Sequence, residues 1–284
     1  MKVRNSFIAA AALGVAAVVT LSTLAGCGSS AGGNTKDTLS GRVTVSGSTT
    51  VLPIASEAST QFMDAHPGVT VDVQGGGSSV GITQVGQSAV DIGTSSRELK
   101  PEEQSLGLVS TKIAYDVIAV IVNPGVNVPS LTKDQVKGIF TGTITSWQQV
   151  GGSSAPISVV VRDKASGTRE MFDQKALDSA SNIVTSAIEC NSNGILRDTV
   201  ASTQNAIGYV SLGYMTSAVK AVQFNGVNAT KANALSGSYP LARYLFMLTK
   251  GEAQGVAKAY IDFVTSAKFQ NDVVSKEYIP LTQL

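Results

Sequence analysis

One histidine, two cysteines and one tryptophan stand in 284 residues, and only 14% of the chain is charged. Each shortage removes a class of function. With His66 as the sole imidazole, set beside Pro67 at an expected helix end, a serine hydrolase would lack an evident general base. No Cys, His and carboxylate cluster has metal-ligand spacing, so neither a metal nor another cofactor is expected. A formal balance of +1 without a basic stripe argues against nucleic acid as a partner. Without Lys2 and Arg4, which lie in a leader, 19 basic residues face 20 acidic ones, a balance of −1. An anion would therefore be held by local dipoles, hydroxyls and one or two arginines, not by a broad positive field.

The leader is residues 1–26. Lys2 and Arg4 form its positive end, Phe7 to Thr20 its apolar run, and Leu24-Ala25-Gly26-Cys27 resembles a bacterial lipobox. That resemblance implies cleavage before Cys27, lipidation of its thiol and acylation of the new N-terminus. The alternative is a transmembrane anchor, since about 20 mostly apolar residues can span a bilayer. The small residues ahead of Cys27 favour cleavage, and either reading exports the rest. Two or three acyl chains would hold the protein on the membrane. Residues 27–40 combine the lipidated cysteine with a Gly/Ser-rich linker, Gly28 to Ser40, whose reach is at most roughly 45 Å at about 3.3–3.6 Å per residue. Once Cys27 is lipidated, Cys190 has no partner and reads as a buried or unused thiol.

What the chain has in quantity is Gly, Ser and Thr after short β-branched runs. Ile157 to Val161 reads as a buried parallel strand that runs up to Arg162; Ser166-Gly167-Thr168 follows, then Met171, Phe172 and Ala176 at helical spacing. Strand, turn and helix in that order aim the N–H groups of a helix's first turn at the carboxyl end of a sheet, a seat for a small oxyanion. The plainer reading is an ordinary N-cap. The device recurs, however. Val43 and Val45 lead into Ser46-Gly47-Ser48-Thr49-Thr50, before Ile54, Ala58 and Phe62. Val69, Val71 and Val73 lead into Gln74-Gly75-Gly76-Gly77-Ser78-Ser79, before Ile82, Val85 and Ala89. Three such turns favour anion binding.

Ala89 to Gly93 predicts a short strand, followed by a fourth polar turn, Thr94-Ser95-Ser96-Arg97. Arg97 would touch the anion, pair with Asp91 or Glu98, or stay solvated. Pro101-Glu102-Glu103 reads as a helix start. Ile113 to Pro124 and Leu241 to Leu248 are apolar strand runs, the candidates for two crossings between lobes. On that division residues 41–115 plus 245–284 form one lobe and 116–244 the other, although one continuous sheet fits the periodicity nearly as well. Trp147 is expected in a core, with a surface partner contact as the alternative, Ala206 to Tyr214 as a strand, and Ala253 to Phe263 and Ala267 to Val274 as amphipathic helices.

Taken together and in order, these segments resemble the phosphate-binding proteins of bacterial high-affinity phosphate ABC transporters. The resemblance spans the mature chain: Ser46-Gly47-Ser48-Thr49-Thr50, Gly75-Gly76-Gly77-Ser78-Ser79, Asp91-Ile92-Gly93, Ile139-Phe140-Thr141-Gly142, Trp147, Arg162, Ser166-Gly167-Thr168-Arg169 and Ala206-Ile207-Gly208-Tyr209. It implies an α/β fold of two lobes, of the type II periplasmic-binding-protein kind, with two hinge-crossing strands and a ligand cleft between the lobes. It implies a monomer, anchored by lipid outside the cell membrane, that captures inorganic phosphate for permease and ATPase subunits. The implied ligands are Ser48, Thr49, Thr50, Ser78, Ser96, Arg97, Arg162, Ser166, Gly167 and Thr168. Two departures stand out. Known members carry an aspartate where this chain has Ser96, and that acceptor rejects fully ionised sulfate; here Ser96 itself, Asp91 or Asp163 would have to take its place. Lys164 stands where some members carry an acid. Sulfate, or a sensing or adhesive role without transport, remains the alternative.

Overall fold

Alternate valines face one side of a pleated strand, and here they pair: β1 (Gly41–Gly47) runs parallel to β2 (Val69–Gly75), with Val43 opposite Val71 and Val45 opposite Val73. The computed structural model describes residues 39–179 and 182–284. The leader, Cys27 and the linker up to residue 38 lie outside the described residues. Among those described, no helix is long and apolar enough to cross a membrane.

Between β1 and β2 runs α1 (Leu52–Ala65), which buries Ile54, Ala58 and Phe62, one residue per turn on one face. His66 ends it. After β2, α2 (Ser78–Gly86) returns the chain to β3 (Ile92–Ser95), parallel to β1 on its other side. That strand begins later than its sequence suggests, at Ile92 instead of Ala89. The expected helix at Pro101 is a 3-10 turn, Pro101–Leu106. The 15-residue β4 (Leu108–Val122) follows.

The middle of the chain adds β5 (Ser130–Leu131), α3 (Lys133–Thr141), β6 (Ser158–Arg162), α4 (Gly167–Ala176), β7 (Ile188–Cys190), α5 (Asn193–Ser202), β8 (Ala206–Ser211), β9 (Lys220–Phe224) and α6 (Lys231–Leu235). β10 (Ala242–Lys250) and α7 (Gly255–Thr265) return to the first sheet half. The expected helix from Ala267 is interrupted: Ala267–Phe269 gives way to a wide π turn, Gln270–Val274. Gln270 is fully buried there, donating to the carbonyls of Ile113 and Val264 and accepting from Leu281 N–H. Three backbone groups, two of them buried, thus depend on one side chain at the widened turn.

The strands form one mixed sheet in the order β2-β1-β3-β10-β4-β8-β6-β7, with β9 pairing β4 and β5. β4 is the shared member. Its first part pairs with β10 and its last five residues with β8, both antiparallel. Two apolar clusters divide along it. Ile113 and Ala114 pack with Val43, Phe62, Leu245, Met247 and Tyr260, whereas Val117 and Ile118 pack with Phe140, Trp147, Phe172, Tyr209, Leu241, Ala242 and Ile279. The change falls at the same level in both strands, because Leu245 pairs with Ala114 and Ala242 with Val117. A register shift between Leu245 and Phe246 adjoins it. Trp147 is core, its Nε1–H donating to the Asn205 carbonyl at 2.9 Å. Cys190 is a buried free thiol.

Candidate anion site

Four helices begin around one buried cluster of polar side chains. Thr49 and Thr50 lie just before α1, Ser78 opens α2, Gly167 and Thr168 open α4, and Asn193 opens α5. Each start carries the positive end of its helix dipole. Thr50, Ser78, Ser96, Thr168 and Asn193 are at most 1% exposed.

Two hydroxyl pairs form the heart of the cluster. Thr50 Oγ1 and Thr168 Oγ1 are 3.0 Å apart, and Ser78 Oγ and Ser96 Oγ are 3.1 Å apart. Consecutive residues bracket both pairs, for Thr168 belongs to the first and Gly167 presses on the second. A Cβ at position 167 would come within 2.8 Å of Ser96 Oγ and closer still to Ser78 Oγ, so only glycine fits. Gly77 has the same constraint from the opposite side, with φ +102° and the Ala165 carbonyl 2.7 Å from where a Cβ would stand.

Hydrogen accounting shows what the pairs can do. Each pair contains two hydroxyl hydrogens and spends one on its mutual bond. Thr50 Oγ1 also accepts from Asn193 Nδ2 at 3.0 Å and from Arg243 Nη2 at 3.2 Å; Thr168 Oγ1 accepts from the same Nη2 at 2.8 Å. Ser78 Oγ accepts the Ser96 N–H at 3.0 Å. The oxygens are supplied from behind, and one hydrogen per pair is left to point at a ligand.

Arg243, on β10, was not foreseen from the sequence, nor were Asp116, Asn193 and Ser211. Arg243 Nε and Nη2 donate to Asp116 Oδ2 at 3.2 and 3.0 Å, and Ser211 Oγ donates to Asp116 Oδ1 at 2.5 Å. Asn193 Oδ1 accepts the Ser211 N–H, which closes a ring through Thr50. Nη1 of Arg243 is buried with no hydrogen-bond partner among the described residues, while Nη2 has three acceptors for two hydrogens. Burial pushes the Asp116 carboxyl up against the pull of Arg243, and pushes the Arg243 guanidinium down against the pull of Asp116. A buried guanidinium with two unpaired N–H groups is costly unless an acceptor meets them.

The other residues named from the sequence fall into distinct places. Arg162 is 1% exposed; its Nε and Nη2 donate to the carbonyls of Cys190 and Asn191, and burial together with the field of Arg243 lowers its pKa despite Asp163. Its N–H donates to Tyr209 Oη, and that ring stacks on Phe172 at 4.0 Å. Ser166 is an N-cap, accepting the Arg169 N–H. Ser48 Oγ accepts the Thr50 N–H and so shapes the first turn from behind. Thr49 Oγ1 accepts from Asn193, and its carbonyl from Tyr214 Oη.

Arg97 is set apart. Both its Nη atoms donate to the Glu103 carboxylate at 2.6 and 2.7 Å, and Nε lies 2.9 Å from Glu170. Burial would raise the Glu103 carboxyl, but Arg97 together with the Lys100 N–H and charge more than offsets it, and the group sits below its ordinary range. Nη2 also reaches Ser79 Oγ. With both Nη atoms on Glu103 and Nε facing Glu170, this guanidinium turns toward carboxylates and away from the cluster. It pairs with neither Asp91 nor the Glu98 carboxylate. Asp91 is exposed and accepts from Thr44, Asp163 accepts the Ala165 N–H, and Lys164 is exposed. Neither aspartate substitutes at Ser96.

Residues 32–268 match the family model described as a PBP superfamily domain. The chain is 37% identical over 249 residues to phosphate-binding protein PstS of Bacillus subtilis, covering 86% of this chain and 82% of that one. It is 32% identical over 247 residues to the protein of the same name from Borreliella burgdorferi, covering 83% and 88%. Among solved structures, a putative phosphate ABC transporter substrate-binding protein with bound phosphate from Clostridium perfringens superposes with a TM-score of 0.82 at 36% identity, covering 85% of this chain and all of that one. The curled mixed sheet, the four helix starts and these likenesses agree: the chain belongs to the PBP superfamily and, within it, to the family of the phosphate-binding proteins.

Proposed function

We propose that the protein captures inorganic phosphate at the meeting point of these helix starts and hands it to the permease of an ABC transporter. The observation that carries the reading is the pair of hydroxyl couples bracketed by Gly167 and Thr168, each with a hydrogen to spare, beside the unpartnered Nη1 of Arg243. Hydrogen bonds to an ionised group contribute on the order of 1.5–3 kcal/mol each, so a few of them in a dry site hold a dianion tightly. The ligand set we assign is Thr50, Ser78, Ser96, Thr168 and Arg243, with Arg162 supplying charge. Ser48, Thr49, Ser166 and Gly167 shape the turns, and Arg97 works elsewhere.

Residues 41–115 with 245–284, and 116–244, act as the two lobes in this reading. The shared change of core in β4 and β10 supports a hinge there. Contacts that join the two segments support closure: Tyr214 Oη to the Thr49 carbonyl, Asn193 to Thr49, the Ser79 N–H to the Ala165 carbonyl, and Arg97 to Glu170. Closure excludes water, which strengthens every bond to the anion. Binding without turnover fits a site with no histidine among its members. A lipid on Cys27 would hold the protein at the outer face of the cell membrane, near the permease and ATPase subunits.

A crystal grown with inorganic phosphate tests the seat. Density bridging Thr168, Ser78 and Arg243 supports it; phosphate bound elsewhere, or at none of these groups, overturns it. Co-purification with a permease from detergent-solubilised membranes tests delivery, and its absence would favour sensing.

A further inference from the structure

Resting on that reading, we propose that Asp116 is the residue that makes the site select an oxyanion carrying a proton. Ser96, a neutral hydroxyl, donates to a sulfate as readily as to a phosphate, and so do the other spare hydrogens. Something else must reject the fully ionised anion.

Asp116 is the one carboxylate among the described buried polar residues. Every other acid near the cluster is engaged away from it: Asp163 at the Ala165 N–H, Glu103 and Glu170 at Arg97, Asp173 at Arg169. Asp116 is tied into the site from two directions. Through Arg243 Nη2 it stands one guanidinium nitrogen from Thr50 and Thr168. Through Ser211 and Asn193 it reaches Thr50 again. All five members of that ring are at most 3% exposed, so bulk solvent screens the charge little.

The pair also sets the charge balance. Arg243 is matched by Asp116, while Arg162 donates to two carbonyls and feels the opposite charge of Asp163. The pair cancels in net charge, but its carboxylate carries only acceptor oxygens, so an anion that arrives bare finds no donor in it. One that brings a hydrogen can turn it toward the acceptors of the ring. Asp116 therefore does from β4 what a carboxylate at position 96 would do from the end of β3, while it also holds Arg243 in place.

The test is calorimetric titration of the wild type and Asp116→Asn with inorganic phosphate and with sulfate at mildly alkaline pH. The expected result is that the phosphate-to-sulfate affinity ratio falls by about tenfold or more, with sulfate binding strengthened. Because a lone buried Arg243 can harm folding, Asp116→Asn combined with Arg243→Gln removes the pair as a unit; it should bind both anions more weakly and discriminate little. A ratio that stays at the wild-type value in both variants, the two affinities falling in parallel, overturns the inference and leaves Asp116 a structural counter-ion. Wild-type protein that binds neither anion overturns the phosphate reading itself, and this inference with it.

Discussion

Arg243 Nη2 lies 2.8 Å from Thr168 Oγ1, across 75 residues of sequence, and the same nitrogen donates to Asp116 on the neighbouring strand. A guanidinium from the middle of a sheet thus supports the hydroxyl that opens a helix. Asp116 fixes the fork, the fork orients Thr168, and the hydrogen left over on the Thr50–Thr168 pair is aimed by both.

The two arginines that flank this cluster should behave oppositely. Arg243→Gln removes the unpartnered N–H groups and the charge, and phosphate affinity should drop by about 100-fold or more, as expected for two charge-assisted hydrogen bonds. Arg97→Gln should change affinity by less than about tenfold, yet lower thermal stability, because Glu103 loses its guanidinium and Glu170 one of its two cations. Calorimetry paired with thermal melts separates them. Equal losses of affinity would contradict the division of roles.

Thr168→Val keeps the shape of the side chain and deletes its oxygen. The hydroxyl couple is lost, and Arg243 Nη2 loses its nearest hydroxyl acceptor. Phosphate affinity should fall by about 10- to 100-fold with the fold intact. Titration together with a circular dichroism spectrum reads both parts.

Much of this was legible beforehand, and the limits are instructive. Strands rich in valine, followed by glycine and hydroxyl residues, announced three of the four helix starts, because turn chemistry and period are local properties. The turn at the remaining helix start, Ser192-Asn193-Gly194 before Ile195 and Leu196, is hidden by β7, which is three residues long with two of them exposed. Asp116 and Arg243 were different. Each is a lone charge inside an apolar strand, IAYDVIAVIV and LARYLFML, an oddity that does hint at a buried partner. Which partner depends on strand register across 127 residues, and no local pattern carries that. Arg97 misled for a related reason: it adjoins Ser96 in sequence, but its side chain leaves toward Glu103 and Glu170 while Ser96 turns inward to Ser78.

Asp173 should leave a pH signature on stability. Burial pushes its carboxyl up to about 6 in spite of Arg169. The folded state then holds a proton that the unfolded chain, with a value of about 3.9, has already released. Stability contributed by this group is therefore present at low pH and declines as pH rises through that interval, by on the order of 1 kcal/mol once its partial exposure is allowed for. Asp173→Asn should flatten this decline in urea titrations run across the window. Identical pH profiles for variant and wild type would contradict it.

Trp147 offers a check on the second apolar cluster. Trp147→Phe removes buried ring volume and leaves the Asn205 carbonyl without its donor, so unfolding free energy should fall by about 2–3 kcal/mol, while phosphate affinity stays within about twofold. Denaturant melts and titration of the same preparation decide both.

The most direct test of the whole account is calorimetric titration of the wild-type protein with inorganic phosphate, with and without a large excess of sulfate. The account predicts one tight phosphate site per chain, with an affinity that excess sulfate leaves unmoved. Sulfate competing on equal terms, or no phosphate heat at all, would contradict it.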